Sequence, residues 1–199
     1  MDYHFFATVS RMKYIERWAL MRSSRRENLS EHTLEVAMIA HALCLIANVR
    51  YGRHLNSERA AVIAMYHDVS EIITGDLPTP VKYGNSDIRD SYKEVEKEAR
   101  IRLLKQLPHD LRTEYTDIMM EEAPQPEDKY LYDLVKAADR LSAYIKCIEE
   151  RQSGNREFDT ACESTRDKLE EMARRLPEVK DYMEEFLPSY GETLDTLLG

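Results

Sequence analysis

Glycine and proline, the residues that most often interrupt helices, are scarce in this sequence. Only 6 Gly and 7 Pro occur among 199 residues, whereas Leu, Ala, Glu, Lys, Arg and Met are common. These common residues are good helix formers, so the composition favours helices. We find no alternating strand pattern, internal repeat or low-complexity segment. The sequence therefore predicts a single all-α domain over residues 1–199.

Cysteine is equally sparse. Cys44, Cys147 and Cys162 are odd in number, lie far apart and form no C-x-x-C pair. This usage does not suit a disulfide framework and fits a reducing compartment best. All three lie in apolar helical patterns, so we interpret them as buried packing residues. We predict that the protein is cytoplasmic.

The sequence also lacks an excess of positive charge and a long hydrophobic run. Its net charge is −9, which argues against a nucleic acid polymer as partner, although a local basic cluster would suffice for a small phosphorylated substrate. The longest uncharged run, Val36 to Val49, is too short to span a bilayer. Residues 1–6 show no signal-peptide pattern. We expect neither a membrane nor a signal peptide.

Apolar periodicity predicts a series of helices. In the second of them apolar residues fill nearly the whole circumference, with Leu34, Met38 and Leu45 on one face, which predicts a central buried helix capped by Ser30. Asn56 or Ser57 would cap the third. Residues 21–28 and 121–128 are predicted loops. The predicted helices span about 4–17, 30–48, 58–74, 87–106, a short one after Pro108, 131–153, 157–175, and 178–198 with a kink or break at Pro188.

The third predicted helix contains the most informative stretch. His67 and Asp68 interrupt an apolar run, and Glu71 follows at i+3 from Asp68. Gly75 is the expected residue just past the helix end, and Asp76 follows it. A carboxylate buried here costs several kcal/mol unless it is paired or bound to a metal. Three acidic residues and one histidine close together at the end of a helix therefore indicate a functional site.

Two further residues extend this pattern. His32 lies in the first turn of the second predicted helix, and Asp139 borders the apolar stripe of residues 131–148. Each has an ordinary structural interpretation when it is taken alone: a hydrogen-bonded histidine, and a boundary carboxylate paired with Lys136. Taken in order, H…HD…D supplies two imidazoles and two carboxylates, which suit a divalent first-row metal.

Arg17 and Trp18 form a second, weaker signal. A guanidinium fork suits phosphate, and an aromatic plate suits a sugar or base. A core role for the only tryptophan is an equally good interpretation on chemistry alone.

With these residues in place, the sequence resembles a known family. H…HD…D is the signature of the all-α HD-domain phosphohydrolases, and further segments resemble the bacterial 5′-deoxynucleotidases within that superfamily. The resemblance covers nearly the whole chain and weakens after about residue 155. The segments that carry it are Phe5-Phe6-Ala7, Arg17 to Arg22, Glu27 to His32, Met65 to Asp68, Thr74 to Lys82, and Asp139 to Glu150.

The resemblance implies a helical bundle that binds a divalent cation through His32, His67, Asp68 and Asp139. Co²⁺, Mn²⁺, Cu²⁺ and Zn²⁺ all suit such a ligand set. It implies a homodimer that hydrolyses deoxyribonucleoside 5′-monophosphates with little regard for the base. The implied catalytic residues are Arg17, Glu71 and Asp76. The implied substrate-binding residues are Arg17, Trp18, Asp68, Asp76, Leu77, Pro78, Thr79 and Asp139.

The residues also suggest how phosphate would be released. Arg17 would clamp the phosphoryl oxygens, Asp76 would orient water, and Glu71, with a raised pKa, would handle a proton at the leaving oxygen. The division of labour between Glu71 and Asp76 is a hypothesis. Trp18 and the prolines after Asp76 would form an apolar wall that disfavours a 2′-hydroxyl.

Two alternatives remain open at this point. One is another HD phosphohydrolase that acts on a nucleoside polyphosphate or a cyclic nucleotide. Guanosine tetraphosphate hydrolases usually carry Glu-Asp shortly after the HD pair, where this chain has Glu71-Ile72. Cyclic-dinucleotide phosphodiesterases usually carry a Gly-Tyr-Pro element, which is absent from this sequence. The other is a helical binding protein without catalysis. A binding protein has no need of buried acids, which weighs against it.

Overall fold

Helices dominate the structure, as the composition predicts. The computed structural model describes residues 2–78, 82, 85–120 and 126–199, and the side chains of 126–128 are not described. Helices make up 74% of the described residues. Its described part contains no strand, only an isolated antiparallel bridge between Glu16 and Asn28. The all-α prediction is confirmed.

The helices follow the predicted order with adjusted ends. Short 3₁₀ segments span Ser10–Tyr14, Arg156–Phe158 and Leu187–Ser189. The α-helices are α1 Phe5–Val9, α2 Leu29–Tyr51, α3 Ser57–Tyr66, α4 Glu71–Thr74, α5 Ser86–Leu104, α6 His109–Met119, α7 Pro126–Gln152, α8 Asp159–Ala173, α9 Pro177–Glu185 and α10 Leu194–Leu198.

One compact unit comprises Met1–Leu20, Arg26–Leu34 and Met65–Glu122. Its core contains apolar side chains from α1, α5 and α6, together with Leu29 and Val69. The Phe5 ring packs on Tyr66 and on Tyr115, with centroids 6.5 and 5.0 Å apart. Burial of Val69 holds the segment just after His67 and Asp68 against this core.

The other compact unit comprises Met21–Arg25, Glu35–Ala64 and Ala123–Gly199. Its core is formed by α2, α3 and α7 with side chains from α8 and α9. The three cysteines are free and buried, as predicted. Burial raises the pKa of the Cys44 and Cys147 thiols to about 12, so neither is an ionised thiolate near neutral pH.

The second helix corrects two predictions. It is capped by Asn28 and not by Ser30, because Asn28 Oδ1 accepts hydrogen bonds from the backbone N–H groups of Ser30 and Glu31 at 3.0 and 3.1 Å. It is also not buried all round: an apolar stripe on one face is exposed. The stripe comprises Leu34, Met38, Leu45 and Val49. By length and composition alone α2 would pass as a membrane-crossing helix, yet 56% of its most apolar window is buried, as core helices also are.

The predicted helix over 58–74 is wrong in its middle. The chain leaves α3 at Tyr66, turns through residues 67–70, and re-enters a helix only at Glu71. Within the turn the bonds are of the tighter i→i−3 kind, from Val69 N to Tyr66 O at 3.2 Å and from Glu71 N to Asp68 O at 2.9 Å. The third helix begins after the predicted cap, because Asn56 Oδ1 accepts from Arg59 N at 2.8 Å.

Other boundaries differ less. The predicted first helix is split into α1 and its 3₁₀ continuation. The predicted acidic loop over 121–128 lies outside the described residues up to 125, but α7 already begins at Pro126, a favoured first helical position. The predicted break at Pro188 is confirmed, because α9 ends at Glu185.

Candidate metal centre

The turn after α3 brings two adjacent side chains to one point. Nε2 of His67 lies 3.0 Å from Oδ2 of Asp68. In a regular helix neighbouring side chains diverge by about 100°, so a turn is better suited than a helix to aiming both inward. Burial alone would raise the pKa of Asp68, but His67 and His32 hold it well below its usual range. The carboxylate is therefore ionised and available as a ligand.

His32 and Asp139 join this pair. His32 is 1% exposed in the first turn of α2, and its Nε2 lies 3.5 Å from Asp68 Oδ2. Each of His32, His67, Asp68 and Asp139 offers one ligand atom, and these atoms all lie within 4.8 Å of one another. The four residues singled out by the H…HD…D order are thus brought together.

This group fits a divalent cation. Ligand atoms about 2.1 Å from a shared ion lie up to about 4 Å from each other, and the four atoms here, all within 4.8 Å of one another, need to move only slightly to reach that spacing. Two imidazole nitrogens and two carboxylate oxygens match Zn²⁺, Mn²⁺, Co²⁺ and Cu²⁺. Both Nε2 atoms lie near the same Asp68 oxygen, as they do when imidazoles and a carboxylate share an ion.

Arg17 lies beside the group. Its Nη1 is 3.5 Å from Asp68 Oδ2, and its Nε is 3.5 Å from Glu27 Oε1. The Arg17 backbone N–H donates to Glu27 O at 2.9 Å, which fixes the residue at the start of its loop. A guanidinium held in this position can meet a phosphate oxygen at the ion.

Glu71, the first residue of α4, has a strongly raised pKa. It is 4% exposed, and its Oε2 is buried without a hydrogen-bond partner in the described part of the chain. Burial, Asp68 and Asp76 raise the pKa of Glu71 to about 9, against the opposing effect of Arg17 and Lys82. In the absence of a cation, Glu71 therefore carries a proton at neutral pH, as a proton donor must.

The segment after α4 places the remaining predicted residues. Gly75 ends the helix with φ +72° and its N–H donates to Glu71 O at 2.8 Å, which confirms its predicted role. Asp76, Leu77 and Pro78 are half-buried. Asp76 lies near enough to raise the pKa of Glu71. Thr79 lies outside the described residues.

Trp18 is half-buried, so it is neither a core aromatic nor a fully exposed one. Its φ of +58° is the only positive value among the described non-glycine residues, and such a conformation is strained for a bulky side chain. The indole Nε1–H donates to Glu27 Oε2 at 3.1 Å.

Glu27 is the residue that sequence reasoning missed. Its carboxylate lies 3.4 Å from His32 Nδ1 as well as beside Arg17 and Trp18. It occurs in a polar, charged segment where a lone glutamate is usually solvated, so the residue type gave no signal. Its place five residues before His32, in the segment that resembles the deoxynucleotidases, was the available clue.

Solved structures define the class of this fold. An HD-domain phosphohydrolase from Listeria innocua matches with a TM-score of 0.81 and 24% identity, over 96% of this chain and 90% of its own. The HD phosphohydrolase of cyanophage S-2L, bound to dA and one catalytic Zn²⁺ ion, matches with a TM-score of 0.64 and 20% identity, over 92% of this chain and 96% of its own. The fold is that of the HD-domain phosphohydrolases.

Within this class the sequence comparison is sharper. A 5′-deoxynucleotidase YfbR from Shigella dysenteriae is 50% identical over 194 residues, which cover 98% of this chain and 95% of the relative. The model of the 5′-deoxynucleotidase YfbR-like family matches residues 4–190. The chain belongs to this family, and the resemblance inferred from its motifs is confirmed.

Proposed function

We propose that this protein is a metal-dependent 5′-deoxynucleotidase, which hydrolyses deoxyribonucleoside 5′-monophosphates to deoxyribonucleosides and phosphate. Family membership and the 50% identical 5′-deoxynucleotidase support this activity. The observation that carries it is the His/Asp group beside a buried glutamate with a pKa of about 9. A phosphomonoesterase needs both a cation site and a proton donor.

The cation would be held by His32, His67, Asp68 and Asp139. When bound, it supplies a Lewis acid that polarises a phosphate oxygen and acidifies water. The Zn²⁺ in the cyanophage phosphohydrolase is consistent with such a cation, and Mn²⁺, Co²⁺ and Cu²⁺ suit the same ligands.

Three side chains would carry the remaining chemistry. Arg17 binds the phosphoryl oxygens and offsets the negative charge that grows on them. Asp76 orients a water molecule and accepts its proton as the water oxygen bonds to phosphorus. Glu71 gives its proton to the 5′ oxygen as the P–O bond breaks, so the deoxyribonucleoside leaves as a neutral alcohol. The raised pKa of Glu71 favours this assignment.

Substrate binding would use the residues around this centre. Arg17, Asp68, Asp76 and Asp139 would hold the phosphate through direct or cation-mediated contacts. Trp18, Leu77 and Pro78, with Thr79, would line the sugar. An apolar wall at the 2′ position leaves a ribose hydroxyl without a hydrogen-bond partner, and this disfavours ribonucleotides.

Phosphate release from a panel of nucleotides tests the proposal. The protein is stripped with chelator, reloaded with single metals, and assayed on 5′- and 3′-monophosphates in ribo and deoxy forms, and on a nucleoside polyphosphate and a cyclic nucleotide. We expect activity on the deoxy 5′-monophosphates with at least one metal. Asp139→Asn should lose metal and activity, whereas Glu149→Gln, an exposed change on the same helix, should retain both. Hydrolysis restricted to polyphosphates or cyclic nucleotides, or to none of these substrates, would overturn it.

We further propose that residues 1–199 form one domain and that the protein acts in the cytoplasm as a homodimer. Three buried free cysteines support a reducing compartment. The exposed stripe of Leu34, Met38, Leu45 and Val49 supports self-association, since such apolar faces often mark protein interfaces. The mass in solution, measured by light scattering, should be that of two chains and should fall to one in Met38→Glu. A monomeric wild-type protein would contradict this.

A further inference from the structure

One carboxylate contacts three residues of the proposed site. Glu27 Oε2 accepts the Trp18 Nε1–H at 3.1 Å. Glu27 Oε1 lies 3.5 Å from Arg17 Nε and 3.4 Å from His32 Nδ1. Glu27 therefore contacts a proposed phosphate clamp, a proposed sugar contact and a proposed metal ligand.

The backbone fixes where this carboxylate lies. Arg17 N donates to Glu27 O, and Leu29 N donates to Ile15 O, both at 2.9 Å. With the bridge between Glu16 and Asn28, these bonds hold residues 15–17 antiparallel to residues 27–29. We call this pairing the clasp. Because the clasp places the Glu27 backbone beside Arg17, the side chain of Glu27 lies within reach of the proposed site.

We propose that Glu27 is a positioning residue that orients His32, Arg17 and Trp18 together. This inference rests on the proposed function, because it concerns the same centre. A metal-bound histidine generally gives its second ring N–H to a carboxylate or carbonyl, which fixes the tautomer and the ring direction. Glu27 at Nδ1 would leave Nε2 as the ligand atom, and His32 Nε2 is the atom near Asp68.

The same carboxylate offsets strain at Trp18. A tryptophan at φ +58° persists only when its surroundings hold it there. The indole hydrogen bond to Glu27 supplies one such restraint. Trp18 is also the only tryptophan in the chain, so intrinsic tryptophan fluorescence reports on the surroundings of this one side chain.

Two substitutions at Glu27 separate its contacts. Glu27→Ala removes all three, whereas Glu27→Gln keeps an oxygen that can accept from Trp18 and places an N–H donor toward Arg17 and His32. The matched control is Glu16→Ala, which removes an exposed carboxylate paired with Arg26 in the same clasp. Circular dichroism and thermal unfolding establish that each variant is folded.

The first readout is Mn²⁺ binding to the full-length apoprotein by calorimetry, with no nucleotide present. Loss of a carboxylate behind a metal-bound histidine costs about 10- to 100-fold in affinity. We expect at least about a 10-fold loss in both Glu27 variants and none in Glu16→Ala. The second readout is Trp18 emission, which should shift in Glu27→Ala and stay at the wild-type wavelength in Glu27→Gln.

Wild-type Mn²⁺ affinity in both Glu27 variants would overturn the proposal, as would an unchanged emission in Glu27→Ala. If Glu27→Ala does not fold, the isosteric Glu27→Gln decides through its Mn²⁺ affinity. Neither readout depends on hydrolysis. A wild-type protein inactive on deoxyribonucleotides but sensitive to Glu27 would therefore contradict the proposed function and leave the positioning role intact.

Discussion

Two buried glutamates, one in each compact unit, have pKa values that are shifted in opposite directions. Glu71 is 4% exposed and Glu150 is 1% exposed. Burial and two neighbouring carboxylates raise the pKa of Glu71 to about 9. Burial would also raise that of Glu150, but its hydrogen bonds lower its pKa to about 2. Burial is shared by both, so the surroundings determine the difference.

The partners of Glu150 explain its low pKa. Lys146 Nζ donates to its Oε1, Ser24 N donates to its Oε2 at 2.8 Å, and Asn155 Nδ2 donates at 2.7 Å. Lys146 also donates to Arg25 O, so the pair ties the loop at residues 24–25 to α7. A buried acid with complete partners stabilises a structure, whereas one surrounded by other acids is poised for proton transfer.

The largest expected effect of breaking this contrast is on turnover. Glu71→Gln keeps the shape but cannot release a proton, so we expect kcat for a deoxyribonucleoside 5′-monophosphate to fall about 10³-fold. KM should change little. Steady-state phosphate release measures both, and Glu149→Gln is the exposed control. Near-wild-type turnover with normal substrate binding would assign proton transfer to another group.

The pH dependence of turnover follows from the same residue. A proton donor is active in its protonated form, so activity should fall as the pH rises through the pKa of Glu71. The bound cation lowers this pKa from the value of about 9 that it has without metal. A pH profile of kcat should therefore lose its basic limb in Glu71→Gln. Retention of the limb would show that it belongs to a different group.

The next effect is on stability and has opposite signs at the two sites. Glu150→Gln should lower the free energy of unfolding by about 3 kcal/mol at pH 7, because it leaves Lys146 buried without its counter-charge. Glu71→Gln should raise it by about 3 kcal/mol at pH 7 in metal-free protein, because the wild-type carboxyl, whose pKa rises from 4.5 to about 9, must keep a proton that the unfolded chain releases. Urea denaturation measures both changes.

The pH profiles of stability should also oppose each other. The contribution of Glu150 is present above about pH 4.5 and is lost as the pH falls toward 2. Glu71 destabilises the metal-free protein progressively as the pH rises from about 4.5 to 9. Equal slopes in the wild type and Glu71→Gln between pH 5 and 8 would contradict the raised pKa.

The smallest expected effect compares two glycines. Gly75 and Gly154 have φ values of +72° and +80°, and an added Cβ would meet nothing within 4 Å at either. Alanine should cost about 1 kcal/mol of stability at Gly154 and about 2 kcal/mol at Gly75, because the ψ of 162° at Gly75 places it in a region that residues other than glycine rarely adopt. Only Gly75→Ala should also lower kcat, by about 10-fold, because it redirects Asp76. Equal activities would show that Asp76 tolerates displacement.

The grouping of His32, His67, Asp68 and Asp139 could be anticipated in part from sequence for a physical reason. His67 and Asp68 stand in an apolar run, where an unpaired charge costs several kcal/mol, so their presence there required a partner. The buried face of α7 was likewise visible as helical periodicity, whereas the face of α2 that carries Leu34, Met38 and Leu45 is exposed. Each of these signals can be read from neighbouring residues in the sequence, because it reflects which side chains of that segment are buried.

The features that were missed depend on contacts distant in sequence. Nothing in residues 60–74 predicts a break at His67, because this stretch contains no Gly or Pro; Val69, within the turn, is fully buried in the structure. Asn28 and Ser30 are both good capping residues, and the reciprocal bond from Asn28 N to Glu31 Oε2 at 3.3 Å favours Asn28. In its sequence context Glu27 resembles a solvated acid, because its position beside Arg17 depends on the pairing of residues 15–17 with residues 27–29 in the clasp.

The turn between α3 and α4 limits how this centre can be transplanted. The side chains of His67 and Asp68 meet because the backbone from Tyr66 to Glu71 forms tighter i→i−3 hydrogen bonds in place of regular α-helical ones. The sequence spacing of the motif does not reveal this change. A designer who copied His-Asp onto an uninterrupted helix would reproduce the motif but splay the ligands by about 100°. A graft must carry the irregular backbone and the buried valine that supports it.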